Sequence, residues 1–253
     1  MIGVFDSGIG GLTLLKALMQ TLPNESFLYY ADSKNVPYSY KTDEEIKGFV
    51  EEAVVFLREE GCKAIVIACN TATNVAIEYL RAKYDFPIVA IQPAVKLAFD
   101  NNADNKRILA CATPVTLRSV RFNKLLDTLD ISHLVDKLPL PGLVEFAEKE
   151  IFEGAEVLNY LKEEFSNFDL EKYHYIVLGC THFTYFEKFI SENFPTLIPL
   201  DGNEGTARHL KNILIKENLI ESEENPDLKF IESGKYVDQP ERFLRYIRKV
   251  YLG

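Results

Sequence analysis

Short β-branched or aromatic runs alternate along the chain with longer stretches in which apolar residues recur every three or four positions. That alternation is the mark of a parallel sheet with crossover helices. It predicts strands at Met1–Phe5, Phe27–Ala31, Ala64–Ala68 and Ile88–Ala90, and again at Arg107–Ala112, His133–Leu138, Tyr175–Leu178 and Leu197–Pro199. Helices are predicted over Leu12–Leu22, from Thr42 to Gly61, through Val75, Ala76, Tyr79 and Leu80, over Thr206–Lys216, and from Pro240 through Phe243, Ile247 and Val250. Thr42 and Glu45 have the spacing of a capping box, and Ile46, Phe49, Val50, Ala53, Val54 and Leu57 share one face of the helix after it. Pro240 falls at the favoured first-turn position. The acidic stretch Ile220–Asp227 reads as an exposed loop.

Because the alternation starts twice, the chain reads as α/β with two similar lobes, each a mainly parallel sheet flanked by helices. The crossings near Gln92–Pro93 and Asp201–Gly202 contain no low-complexity linker, so packed lobes are expected rather than tethered ones.

Composition narrows the classes. Over 253 residues, 47% are hydrophobic and 26% charged, enough apolar material for a real core. Lys and Arg number 28 against 38 Asp and Glu, a net charge of −10 that would repel a nucleic-acid backbone. No apolar run approaches the ~18 residues of a membrane span, and no basic-then-apolar leader precedes Ile2, so a cytoplasmic protein is expected. Four cysteines without a C-x-x-C pair read as free thiols in a reducing compartment.

The candidate chemistry lies in a weak repeat. IVIACNT (65–71) and YIVLGCTHF (175–183) are each a buried strand ending in Cys, with Thr one or two places on and a helix starting there. Ligands of parallel α/β sheets sit outside the carboxyl ends of the strands. A helix N-terminus also favours the thiolate, the form in which cysteine is a base. Cys69 and Cys180 could each be small buried hydrophobes, but the same context twice argues for a working pair. Cys62 and Cys111 lack that context and read as packing residues.

Asp6 and Ser7, followed by Gly8, Gly10 and Gly11, form a turn that a ligand could approach closely. Thr13 stands where the dinucleotide fingerprint requires glycine and no P-loop is present, yet Asp32 could imitate a ribose-binding acid, so a cofactor reading stays open. Asp6 could equally cap the first helix. His182, two residues past Cys180, suits either proton transfer near neutrality or a capping role. Asp6, Cys69, Cys180 and His182 match no zinc spacing, and no metal is expected. The three motifs FDSGIGG, ACNTA and GCTHF hold no Lys or Arg. A small carboxylate held by backbone N–H groups and by Ser7, Asn70, Thr71 and Thr181 therefore fits better than a polyphosphate.

Together FDSGIGG, NVPYSYK, ACNTA, ATPVTLRS, LPGLVEFAEKEIFEG and GCTHF resemble the glutamate racemases, cofactor-independent bacterial enzymes that supply D-glutamate for peptidoglycan. The resemblance spans nearly the whole chain. It implies an active site between two pseudo-symmetric lobes, residues 1–92 with 207–253 carrying Asp6 and Cys69 and residues 93–206 carrying Cys180 and His182. It further implies no cofactor, glutamate as substrate, and a homodimer. It also implies that Cys69 and Cys180 are the catalytic bases, acting on D- and L-glutamate respectively, with Asp6 and His182 as their acid/base partners. Ser7, Tyr38, Ser39, Asn70, Thr71, Thr116, Glu148 and Thr181 fall on substrate-binding positions. Ser39 replaces the family's usual glycine. Since the sequence begins directly at the first strand, no activator-binding extension is expected. The competing readings are a racemase of aspartate, a two-lobed amino-acid-binding protein without chemistry, and a nucleotide-dependent enzyme.

Overall fold

The computed structural model describes residues 1–102, 106–221 and 224–250, so Ser222 and Glu223 of the expected acidic loop lie outside the described residues. The chain forms two compact units, Met1–Ile91 with Asn203–Gly253, and Gln92–Gly202.

The first unit contains β1 (Ile2–Asp6), α1 (Leu12–Thr21), β2 (Phe27–Ala31), α2 (Asp43–Glu59), β3 (Ala64–Ile67), α3 (Asn70–Lys83) and β4 (Ile88–Ala90). The second contains α4 (Val95–Asp100), β5 (Arg107–Ala112), α5 (Pro114–Arg118), α6 (Val120–Thr128), β6 (Val135–Pro139), α7 (Pro141–Glu148), α8 (Ala155–Phe165), β7 (Tyr173–Leu178), α9 (Glu187–Asn193) and β8 (Ile198–Leu200). The chain then returns to the first unit with α10 (Asn203–Lys216), β9 (Leu228–Glu232), β10 (Lys235–Tyr236) and α11 (Glu241–Lys249). Among the described residues no helix is long and apolar enough to cross a membrane.

The first sheet runs β10-β9-β2-β1-β3-β4 and the second β6-β5-β7-β8. All pairings are parallel except that of β10 with β9. The order β2-β1-β3-β4 is thus repeated as β6-β5-β7-β8, with β1 and β5 equivalent. Strands β1, β2 and β3 are buried along their whole length, which is why they read as unbroken apolar runs rather than alternating ones.

Local signals decide the helices. Thr42 caps α2: its hydroxyl accepts from the Glu45 N–H at 3.2 Å, and the Glu45 carboxylate accepts from the Thr42 N–H at 2.8 Å. Such a cap contributes about 1 kcal/mol. Most of the stability of α2 comes instead from Ile46, Val50, Ala53, Val54 and Leu57, all buried in the core of the first unit; truncating a residue such as Leu57 to alanine costs ~2–5 kcal/mol.

Elsewhere the structure departs from the sequence reading. Pro240 is the residue before α11, not its first residue. The β9–β10 hairpin was not expected: Leu228–Glu232 becomes a strand by pairing with β2, and Lys235–Tyr236 by pairing with β9. Helix α10 begins at Asn203 rather than Thr206, so the chain leaves the second unit at Gly202.

Candidate active site

In the first unit the functional candidates lie at the carboxyl ends of adjacent strands. β1 ends in Asp6, which is fully buried and accepts the Gly8 N–H at 3.0 Å on Oδ1. Asp6 is not the cap of α1, because Gly11 occupies that position and no side chain caps it. A Cβ on Gly11 would lie 2.5 Å from the Asp6 Cβ and 2.9 Å from the Tyr29 hydroxyl, so only glycine lets the helix begin this close to the acid.

Beyond β3, Cys69 is the N-cap of α3. Its sulfur accepts from the Ala72 N–H at 3.4 Å, and the Ser7 hydroxyl donates to it at 3.5 Å. Donors converging on sulfur at a helix start favour the thiolate over the thiol. Asn70 and Thr71, the first two residues of α3, are buried beside it.

Between β2 and α2, a 3₁₀ turn at Tyr38–Tyr40 carries Tyr38 and Ser39 and touches α3. The buried Tyr38 hydroxyl donates to Asp32 Oδ2 at 2.6 Å, and Asn35 Nδ2 reaches both Asp32 oxygens at 2.9 and 3.0 Å. Burial holds the Asp32 carboxyl above its ordinary value, outweighing the lowering effect of those hydrogen bonds. Burial, then the adjacent Asp32, pushes the Tyr38 phenol up. Asp32 is therefore engaged within its own loop, which removes the support it lent to a ribose-binding reading. The Asp32–Asn35–Tyr38 group was missed from the sequence, although Asp and Asn at i and i+3 are a recognisable turn signal.

In the second unit Cys180 comes after β7 as Cys69 comes after β3. Gly179 brings the chain against β5, its N–H donating to the Cys111 carbonyl at 2.7 Å; a Cβ there would lie 3.0 Å from the Ala112 Cβ. The segment beyond Cys180 is not the α-helix expected but a six-residue 3₁₀ helix, Thr181–Phe186, every residue of it buried, and no side chain caps it. The sulfur is matched instead with an imidazole: His182 Nδ1 lies 3.8 Å from Sγ, and Nε2 lies 2.9 Å from Glu148 Oε1. Burial opposes charge on His182, but the hydrogen bonds to Cys180 and Glu148 outweigh it and hold the imidazole well above 6.5. Glu148, the last residue of α7, thus meets His182, a pairing that the sequence reading did not foresee.

Thr116 is fully buried in the first turn of α5 beyond β5, its hydroxyl accepting from Thr113 at 3.1 Å. Thr181 is buried next to Cys180. The thiols outside these groups are inert by burial, which raises Cys62 to about 11 and Cys111 further still. The expected residues therefore fall into two sets. Asp6, Ser7, Tyr38, Ser39, Cys69, Asn70 and Thr71 lie in the first unit, and Thr116, Glu148, Cys180, Thr181 and His182 in the second.

Two α/β units of equivalent strand order thus each hold a buried cysteine just beyond the third strand of the repeat. The family model described as Asp/Glu/Hydantoin racemase matches residues 2–210, and the chain belongs to that family; it is an amino-acid racemase. It is 48% identical to the glutamate racemase of Campylobacter curvus, over 98% of this chain and 97% of that protein. Its fold is similar to the crystal structure of a glutamate racemase isoform from Bacillus anthracis, with TM-score 0.85 and 30% identity over 97% of this chain and 94% of that one. It is also similar to the Francisella tularensis glutamate racemase crystallised with D-glutamate, with TM-score 0.83 and 27% identity over 98% and 93%.

Proposed function

We propose that this protein interconverts L- and D-glutamate by a two-base mechanism in which Cys69 and Cys180 serve opposite faces of the substrate α-carbon. The observation that carries the reading is their topological equivalence: each comes just after the strand beside the central one, β3 next to β1 and β7 next to β5. Inverting a stereocentre needs a base on one face and an acid on the other, which a thiolate and a thiol provide. The costly step is the carbanionic transition state, stabilised by preorganised donors around the α-carboxylate. Backbone N–H groups at the strand ends, with Ser7, Asn70, Thr71, Thr116 and Thr181 and the Tyr38–Ser39 turn, supply them without a lysine or arginine.

Asp6 and His182 manage the accompanying protons, and Glu148 orients the imidazole. Cys180 takes the proton from L-glutamate and Cys69 from D-glutamate, as the family resemblance implies. No cofactor takes part in this scheme. The same resemblance supports a homodimer and a role in supplying D-glutamate for peptidoglycan, and four free cysteines suit the reducing cytoplasm.

The test is incubation with L-glutamate in deuterated water, following optical rotation and α-hydrogen exchange together. Both should change at linked rates, with aspartate turned over far more slowly. Aspartate turned over as fast as glutamate would redirect the assignment, and α-exchange without loss of rotation would end the two-base scheme.

A further inference from the structure

We infer that Tyr29 is a positioning residue for this reaction: its hydroxyl holds the Gly8 carbonyl and so fixes the turn that aims Asp6. The inference rests on the role proposed above for Asp6. Tyr29 sits in β2, fully buried, in an aromatic core with Phe230 and Phe243 at ring separations of 6.3 and 6.2 Å. Those neighbours are phenylalanines stacked on each other at 5.0 Å, and a phenylalanine at 29 would fill the same space. A hydroxyl in such a place costs desolvation unless it is bonded. It donates to the Gly8 carbonyl at 2.7 Å.

Gly8 is the pivot of the Asp6–Gly11 turn. Its N–H is held by Asp6 Oδ1 at 3.0 Å and its carbonyl by Tyr29, so the peptides on both sides of its Cα are pinned. Glycine brings no side chain to restrain itself, and Gly10 and Gly11 come within three residues. The phenol supplies the stiffness that the glycine run lacks. Gly11 approaches the same hydroxyl so closely that a Cβ there would lie 2.9 Å from it. Without that oxygen the Gly8 peptide can rotate, and the Asp6 carboxylate loses a fixed partner without losing its place in the core.

Tyr29→Phe should lower kcat roughly tenfold in both directions while KM for glutamate stays within about threefold, the split expected when ground-state binding is untouched. Phe243→Leu, which loosens the same core but keeps the hydroxyl, should leave kcat near wild type. In the double variant with Asp6→Asn, the Tyr29→Phe loss should disappear, because Tyr29 acts through Asp6. Para-aminophenylalanine at position 29, which restores a donor, should recover most of the rate.

Hydrogen exchange of the amides of residues 7–11 should quicken in Tyr29→Phe and not in Phe243→Leu. A kcat within twofold of wild type with unchanged exchange overturns the inference, as does a loss that multiplies onto that of Asp6→Asn. If the wild-type protein does not racemise glutamate, the proposed function falls, and the exchange measurement still decides whether Tyr29 holds the turn.

Discussion

Cys69 and Cys180 occupy the same place in the repeated strand order, yet their surroundings solve one problem in two ways. Cys69 caps a fourteen-residue α-helix and is met by a backbone N–H and a serine hydroxyl, donors that do not titrate near neutrality. Cys180 precedes a 3₁₀ helix without a side-chain cap and is met by His182, itself tied to Glu148. The donors that reach Cys69 are fixed dipoles, whereas Cys180 faces an ionisable pair. Near neutral pH, therefore, proton-dependent behaviour should originate in the second unit. Topology alone does not set the chemistry of a strand-end thiol; the donor that reaches it does.

The largest expected effect tests whether both thiols are needed. Cys69→Ala and Cys180→Ala should each lower racemisation by about 10³-fold or more while leaving the fold intact. Each should keep slow α-hydrogen exchange of one enantiomer only, D-glutamate for Cys180→Ala and L-glutamate for Cys69→Ala, measured by NMR in deuterated water. The opposite pairing would exchange the roles of the two units.

Next comes the asymmetry itself. His182→Asn should cost about 10²-fold in kcat, since an amide cannot take up or release the proton that the imidazole manages in the proposed scheme. Stopped assays across pH should show the basic limb of the wild-type profile missing from this variant.

Glu148→Gln should have a smaller effect, about tenfold in kcat, and should move that basic limb to lower pH. The sign comes from His182, held in the folded protein well above the 6.5 of an unperturbed imidazole. The stability it contributes is complete below 6.5 and is lost as pH rises through the folded value. Thermal melts of the wild type should therefore weaken as pH climbs past neutrality, and those of Glu148→Gln should weaken less. Equal slopes would mean that the carboxylate does not hold the imidazole charged.

Ser7→Ala should have the mildest consequence, removing one neutral hydrogen bond to the Cys69 sulfur for about a three- to tenfold loss of kcat. Because a hydroxyl does not titrate in this range, the pH profile should keep its shape. A shifted profile would show that the first unit too relies on a titrating partner and would dissolve the contrast.

What could be read from the chain alone was what short-range physics encodes. The capping box at Thr42 and Glu45 lies within one turn, and the continuous apolar strands β1 to β4 carry their burial in their composition. The strand–Cys–Thr pattern at 69 and 180 is equally local. Pairings between distant residues had no such signature. Glu148 and His182 are thirty-four residues apart and meet because α7 packs on the Thr181–Phe186 turn. Tyr29 and Gly8 are twenty-one apart and meet across the β1–β2 pair, and Leu228–Glu232 becomes β9 by joining the edge of β2. Local backbone and burial preferences are carried residue by residue. Which polar groups share a buried space depends on how whole elements pack, and so the sequence determined the two thiols while the tertiary structure decided what each of them faces.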